Sequence, residues 1–141
     1  EALYSQGSTG SPTPGSDADG FDCGTSGGGN WQMVDCHAYG NCDDGFDCWN
    51  ATDSNGFFRC SSSINGKNPE AGSQGDGNGW KLGLGTVSHY LWKPSTNDNA
   101  DWAFNWNGNT GPHYIYQPNC VGDDSGVYAF GAGDASKWVV T

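Results

Sequence analysis

Hydrophobic and polar residues alternate over short stretches of this chain, and the best helix candidates are only about one turn long. From Trp80 to Trp92, larger side chains alternate with small or polar ones, which predicts a half-buried β-strand. Four further strands are predicted between clusters of Asn, Asp, Gly and Pro, at 102–106, 113–117, 126–130 and 137–141. We therefore expect a mainly β fold, either an antiparallel sandwich or a barrel-like sheet.

The composition changes along the chain and divides it into a tail and one domain. Residues 1–16 are rich in Ser, Thr, Pro and Gly and are predicted to form a flexible tail or linker. Residues 17–141 are predicted to form a single disulfide-stapled domain of three parts. These parts are a Cys-rich irregular lobe (17–60), a long loop (61–79) and a β-rich half (80–141).

A five-residue motif occurs twice, as Asp19-Gly20-Phe21-Asp22-Cys23 and again, 25 positions later, as Asp44-Gly45-Phe46-Asp47-Cys48. A looser third copy follows at 55–60. Each copy combines a turn-forming pair, an aromatic ring to bury and a cysteine. Its carboxylates would suit a cation, but they lack the order of a helical-hand calcium loop, so we expect turns and no metal site.

The even number of cysteines predicts that disulfides hold this glycine-rich chain together. All six are candidates for three bridges, one of which must join Cys120 to the N-terminal region: Cys23, Cys36, Cys42, Cys48, Cys60 and Cys120. Disulfides form in oxidising compartments, and Asn50 begins an Asn-Ala-Thr glycosylation sequon. We expect a secreted, extracellular glycoprotein in its mature form.

The formal net charge of −11 makes nucleic acids and anionic membrane surfaces unfavourable partners. The three histidines, at 37, 89 and 113, lack the spacing of a zinc site, and no cofactor is predicted. We therefore expect a neutral or cationic partner.

Aromatic residues and side-chain amides are concentrated in the C-terminal half. Aromatic rings pack on the apolar faces of sugars, while Asn and Asp bind their hydroxyl groups. This pattern predicts that the protein binds a neutral polysaccharide or glycan. The alternative is that Trp102, Phe104 and Trp106 lie on one strand face and are simply buried. The predicted ligand-binding residues are Trp80, Trp92, Asp101, Trp102, Asn105, Trp106, Asn107 and Tyr114.

Two other functions fit the same sequence. The chain could be an interaction protein, such as a microbial effector, toxin or inhibitor that contacts a host protein from a disulfide scaffold. It could also be a small glycoside hydrolase, in which Glu70 pairs with Asp98 or Asp101 as the two catalytic carboxyl groups.

Overall fold

The chain folds as a parallel β-solenoid in which every described strand lies in one of three five-stranded sheets. The computed structural model describes residues 2–3, 15–24, 30–67, 75–129 and 138–141. Sheet A contains β1 (Ala2–Leu3), β4 (His37–Tyr39), β7 (Ser61–Ser63), β10 (Ser95–Asn97) and β13 (Asn119–Val121). Sheet B contains β2 (Phe21–Asp22), β5 (Phe46–Asp47), β8 (Trp80–Lys81), β11 (Trp102–Asn105) and β14 (Gly126–Ala129). Sheet C contains β3 (Gln32–Val34), β6 (Gly56–Phe58), β9 (His89–Trp92), β12 (His113–Tyr116) and β15 (Trp138–Val140).

The chain visits sheets B, C and A in turn, and each such coil stacks in register on the one before it. The mainly β prediction is confirmed, but the antiparallel sandwich or barrel is wrong, because the paired strands are all parallel. The backbone conformation at the corners between sheets explains why the strands are parallel and not antiparallel. Four residues between sheets C and A share a left-handed backbone conformation that turns the chain onto the next face instead of back along its own strand: Asp35, Arg59, Lys93 and Gln117, with φ of 50–53°.

The predicted parts of the chain map onto this solenoid with changes. The predicted lobe at 17–60 contains β2 to β6, which are the strands of the first two coils except β7, and the predicted tail contributes β1, which pairs with β4. The predicted strand at 80–92 is two strands, β8 and β9, on different sheets. The four later predicted strands are present as β11, β12, β14 and β15.

The disulfide prediction is also not supported, because all six cysteines are free thiols in this structure. A bridge from the N-terminal region to Cys120 is incompatible with the fold. Cys120 has Thr96 as its register partner, and Thr96 in turn pairs with Ser62. It therefore lies two coils beyond Cys60, roughly 10 Å along the axis, which is farther than a disulfide can reach.

One aromatic ring from each coil stacks inside sheet B and forms the centre of the core. Adjacent ring centroids are 4.7–5.7 Å apart, within the range of favourable aromatic pairs: Phe21, Phe46, Trp80, Phe104 and Tyr128. The two clear copies of the repeated motif are therefore neighbouring coils, since Phe21 is in register with Phe46. The third copy differs, because its Phe57 packs from sheet C.

A buried ladder of side-chain amides marks the corner between sheets A and B. Asn41, Asn65, Asn99 and Asp123 are 24, 34 and 24 positions apart, and each of the first three donates its Nδ2 hydrogen to the side-chain oxygen of the next, at 2.7–2.9 Å. The coil after Asn65 is thus ten residues longer than its neighbours. The two sides of this longer coil meet at Gly66 and Gly77, whose backbones touch so closely that neither has room for a Cβ atom.

The predicted long loop at 61–79 is described only in part, and its described residues after 63 contain no strand. Its first three residues form β7 and 75–79 lie along the third coil, while 68–74 are outside the described residues.

Candidate functional site

Two rows of residues project outward from sheet C, and together we call them the aromatic face. The strands of this sheet bury their central residues, such as Leu91 and Ile115, so the residues on either side point to solvent. Row one contains Tyr90 and Tyr114, which are register partners. Row two contains Phe58, Trp92 and Tyr116, which are also in register.

The rings of the aromatic face are ordered by stacking on one another. The Tyr90 and Tyr114 ring centroids are 4.9 Å apart with the planes 4° from parallel, while Trp92 and Tyr116 are 5.3 Å apart and tilted by 37°. Tyr90 and Trp92 are each 45 % exposed, and Phe58, Tyr114 and Tyr116 are half-buried. The sheet thus presents apolar ring surface to solvent beside phenolic hydroxyl groups that donate and accept hydrogen bonds.

The structure divides the predicted ligand-binding residues among three places. Trp92 and Tyr114 lie on the aromatic face, whereas Trp80 is fully buried in the core and presents no surface to a ligand. The other five lie on or beside β11 on the sheet B side and are half-buried: Asp101, Trp102, Asn105, Trp106 and Asn107. Some of these groups support the local fold, since Asn105 Oδ1 accepts the Asn107 backbone hydrogen at 2.9 Å.

Tyr90, Tyr116 and Phe58 were not among the predicted ligand-binding residues. A signal for two of them exists in the sequence, because His-Tyr-Leu-Trp at 89–92 is followed 24 positions later by His-Tyr-Ile-Tyr at 113–116. A period of this length is typical of solenoids and places equivalent residues one above the other. Recognising it would have paired Tyr90 with Tyr114 and Trp92 with Tyr116.

A second candidate site is an acidic cluster on sheet B. Carboxylate oxygens of Asp19, Asp44 and Asp47 lie within 4.8 Å of one another, a spacing that could hold a metal ion. A cavity of about 340 Å³ opens beside the cluster and is lined by Asp17, Asp19, Asp22, Asp47 and Trp49. The sequence predicts turns at these aspartates, and Asp47 makes a turn contact, because its Oδ1 accepts the Trp49 backbone hydrogen at 2.6 Å. Asp19 Oδ1 and Asp44 Oδ1 instead accept backbone hydrogens from the next coil, those of Asp44 and Asn78.

Lys81 supplies a positive charge to this cluster. Its Nζ lies 3.2 Å from Asp44 Oδ2, 3.5 Å from Asp47 Oδ2 and 3.2 Å from Asp76 Oδ2. Burial alone would lower the pKa of the Lys81 amine, but the nearby carboxylates outweigh it and the pKa is raised. Lys81 therefore already pairs with two of the three carboxylates that could hold a metal ion.

Burial and mutual repulsion still make ionisation of the carboxyl groups in this cluster unfavourable. Burial, followed by repulsion from Asp44 and Asp47, raises the pKa of Asp19 to about 9. Burial also raises the pKa of Asp47 to about 6, against the opposing effect of Lys81. The pKa of the fully buried Asp44 is raised for the same reason. At neutral pH this cluster therefore retains protons that isolated aspartates would have lost.

A polar groove of about 280 Å³ runs along sheet A. Hydroxyl, amide and imidazole groups from successive coils line it. His37 is in register with Ser61, and its Nδ1 atom lies 2.5 Å from Ser61 Oγ. The lining residues include Ser61, Ser63, Ser95, Asn97 and Asn119. Such a surface can form hydrogen bonds with a hydroxyl-rich ligand.

The three candidate catalytic carboxyl groups are only partly placed by the structure. Asp98 is exposed at the corner after β10 and forms an ion pair with Lys67 at 2.6 Å. Asp101 is half-buried just before β11, and Glu70 lies outside the described residues. The hydrolase therefore stays a prediction. Asn50, the predicted glycosylation site, lies in an exposed turn after Cys48.

Comparison of the chain with protein-family models, with curated proteins and with solved structures finds no match. Among the described residues, there is no helix with the length and apolar character needed to cross a membrane.

Proposed function

We propose that this protein binds an extended, neutral polysaccharide along the aromatic face of sheet C. The observation that carries the proposal is the pair of outward rows in which Tyr90 and Trp92, each 45 % exposed, stack on Tyr114 and Tyr116. Monomeric proteins normally bury most rings of this size, and contiguous exposed apolar surface is typical of binding sites. The proposal keeps the predicted ligand class and moves the centre of the site from β11 to sheet C.

The repeat of the solenoid supports a polymeric ligand. Neighbouring strands are about 4.7–4.9 Å apart, so each row offers one side chain per coil at that spacing. This interval is similar to the length of one sugar unit in an extended glycan chain. A linear polysaccharide lying along the solenoid axis would meet Tyr90 and Trp92 in the third coil and the equivalent Tyr114 and Tyr116 in the fourth.

Charge supports a neutral ligand over an anionic one. The chain carries a net charge of −11, so an acidic polysaccharide would be repelled over the whole surface. The aromatic face itself provides rings and hydroxyl groups, which are suited to the C–H faces and hydroxyl groups of neutral sugars.

The test is a binding assay on insoluble cellulose, chitin and β-glucan with the wild-type protein and a Tyr90→Ala/Trp92→Ala double variant. A large aromatic side chain covers about 150–250 Å², and covering its exposed half at about 25 cal/mol per Å² gives roughly 2 kcal/mol. We expect the double variant to lose at least 30-fold in affinity, since about 1.4 kcal/mol corresponds to tenfold.

The matched control is Trp49→Ala, which removes an equally exposed tryptophan (42 %) from the acidic cavity, away from sheet C. Its affinity should equal that of the wild type. Equal loss in both variants, or a wild-type protein retained by none of the polysaccharides, would rule out the aromatic face as a glycan-binding site.

A further inference from the structure

Two pairs of cysteines meet across the first two coils. Cys23 and Cys48 directly follow two pairs of register partners, Phe21 with Phe46 and Asp22 with Asp47. The Cys23 backbone donates to the Asp47 carbonyl at 2.6 Å, which continues the ladder to the cysteines themselves. Cys23 and Cys48 are both buried, and the neighbouring Cys23 thiol raises the pKa of the Cys48 thiol.

The second pair, Cys36 and Cys60, is fixed by register on both sides. Before it, Val34 is the partner of Phe58, and after it His37 is the partner of Ser61. Both side chains point the same way, because Cys36 Sγ lies 3.6 Å from the Val34 carbonyl and Cys60 Sγ lies 3.6 Å from that of Phe58. The two thiols therefore lie side by side, one coil apart.

The distance between neighbouring parallel strands suits a disulfide. In-register residues are about 4.7–4.9 Å apart across a sheet, within the Cα separation of about 4.4–6.8 Å that a disulfide spans. The remaining two cysteines have other neighbours. Cys120 is in register with Thr96, and the backbone beside Cys42 is hydrogen-bonded to Ala18 and Gly75.

We propose that Cys23 pairs with Cys48 and Cys36 with Cys60 in two disulfides that fasten the first coil to the second, while Cys42 and Cys120 stay thiols. The two bridges cross-link the first coil to the second at two corners, one after sheet B and one before sheet A. This assignment replaces the three bridges expected from the even number of cysteines.

The reaction requires a low-molecular-weight disulfide such as oxidised glutathione as the oxidant. A thiolate of the pair attacks the oxidant and forms a mixed disulfide, with one molecule of reduced thiol released. The neighbouring cysteine then attacks the mixed disulfide, forms the protein bridge and releases the second reduced thiol. Each bridge thus converts two protein thiols and one oxidant disulfide into one cystine and two reduced thiols.

The direct test is peptide mapping of the full-length wild-type protein after incubation with oxidised glutathione and alkylation of the remaining thiols. Cleavage before aspartates separates Cys23, Cys36 and Cys48, and cleavage after Tyr39 separates Cys36 from Cys42. We expect the two proposed linkages, with alkylated Cys42 and Cys120. Six alkylated thiols, or any linkage that includes Cys42 or Cys120, would overturn the assignment.

A second measurement follows the equilibrium constant for unfolding with and without a reductant. Each bridge closes a loop of about 25 residues, so reducing both should raise that constant by roughly 100-fold per bridge. In Cys36→Ala, the reductant should change the logarithm of the unfolding constant by about half as much as in the wild type. In the control Cys120→Ser, the change should equal that of the wild type. A full response in Cys36→Ala would contradict the second linkage.

Discussion

At the scale of single residues, the acidic cluster brings carboxyl groups together in a buried site, where ionising them costs folding stability. Asp19 lies near two other carboxylates, Asp44 and Asp47, which share the charge of Lys81 with Asp76. A carboxyl group with a raised pKa in the folded state stabilises the fold below its ordinary pKa. That contribution is lost as the pH rises towards the folded-state pKa, which is about 9 for Asp19. The cluster should therefore weaken the fold as the pH rises above about 4.

We predict that Asp19→Asn stabilises the protein at pH 8 and leaves stability at pH 4 almost unchanged. The amide oxygen can still accept the Asp44 backbone hydrogen that Asp19 Oδ1 accepts at 3.0 Å. Each unit of pKa shift corresponds to about 1.4 kcal/mol, so the full shift of Asp19 sets an upper limit on the gain. Because Asp19 is partly exposed and solvent screens its charge, we expect a smaller gain of about 2 kcal/mol. Urea unfolding at both pH values measures it.

The exposed Asp53→Asn serves as the control for Asp19→Asn and should change stability little at either pH. If Asp19→Asn destabilises the protein at pH 8, the carboxylate is needed there as a ligand or ion-pair partner.

At the scale of structural elements, the amide ladder fixes the corner between sheets A and B in successive coils. Asn65 Oδ1 accepts hydrogens from the backbone and the side chain of Asn41, and Asn65 Nδ2 donates to Asn99 Oδ1 and Ser62 Oγ. Its side chain is fully buried, so water cannot replace these bonds. One side chain thus satisfies polar groups in three consecutive coils.

We predict that Asn65→Ala lowers the free energy of unfolding by about 3 kcal/mol or more. The substitution removes the acceptor of two buried Asn41 hydrogens and the donor to Ser62 Oγ and Asn99 Oδ1, and each buried polar group that loses a bond in this way costs about 1–3 kcal/mol. Asn97→Ala, at an exposed position in β10, should cost less than about 0.5 kcal/mol. Equal and small losses in the two variants, measured by urea unfolding, would show that the ladder contributes little to stability.

At the scale of the whole molecule, coils stack along one axis, and each coil is stabilised by its interface with the neighbouring coils. His89 and His113 occupy equivalent positions in the third and fourth coils, where their buried rings stack with centroids 5.4 Å apart. Burial lowers the pKa of His89 to about 4, and burial together with repulsion from His89 lowers that of His113 to about 3. Protonation of this pair would place two charges inside the stack.

We predict that the histidine pair makes the whole solenoid sensitive to acid. A lowered folded-state pKa gives a contribution that is complete above pH 6.5 and is lost as the pH falls towards 4 and then 3. His89→Asn should keep an acceptor for the Asn55 backbone hydrogen, which His89 Nδ1 accepts at 3.2 Å. This variant should unfold at lower pH than the wild type, as followed by circular dichroism. An unchanged acid midpoint would contradict the prediction.

Properties that depend on residue type can be predicted from the sequence alone. Alternating side chains and frequent turn residues predicted short strands, and four of the five predicted strand regions contain a single strand of the structure at that position. The repeated motif correctly predicted a buried aromatic ring, since Phe46 is fully buried and stacks on Phe21. Of the predicted ligand-binding residues, Trp92 and Tyr114 lie on the aromatic face.

The direction of the strands and the face on which each ring lies depend on contacts between coils. The corners that make the sheets parallel depend on left-handed residues such as Arg59, Lys93 and Gln117, which are not residue types that favour this conformation. The exposure of a ring depends on which neighbour its strand packs against, so Trp80 stacks between Phe46 and Phe104 while Trp92 faces solvent. These outcomes depend on contacts between coils at least 24 residues apart in the chain, and local sequence patterns do not contain them.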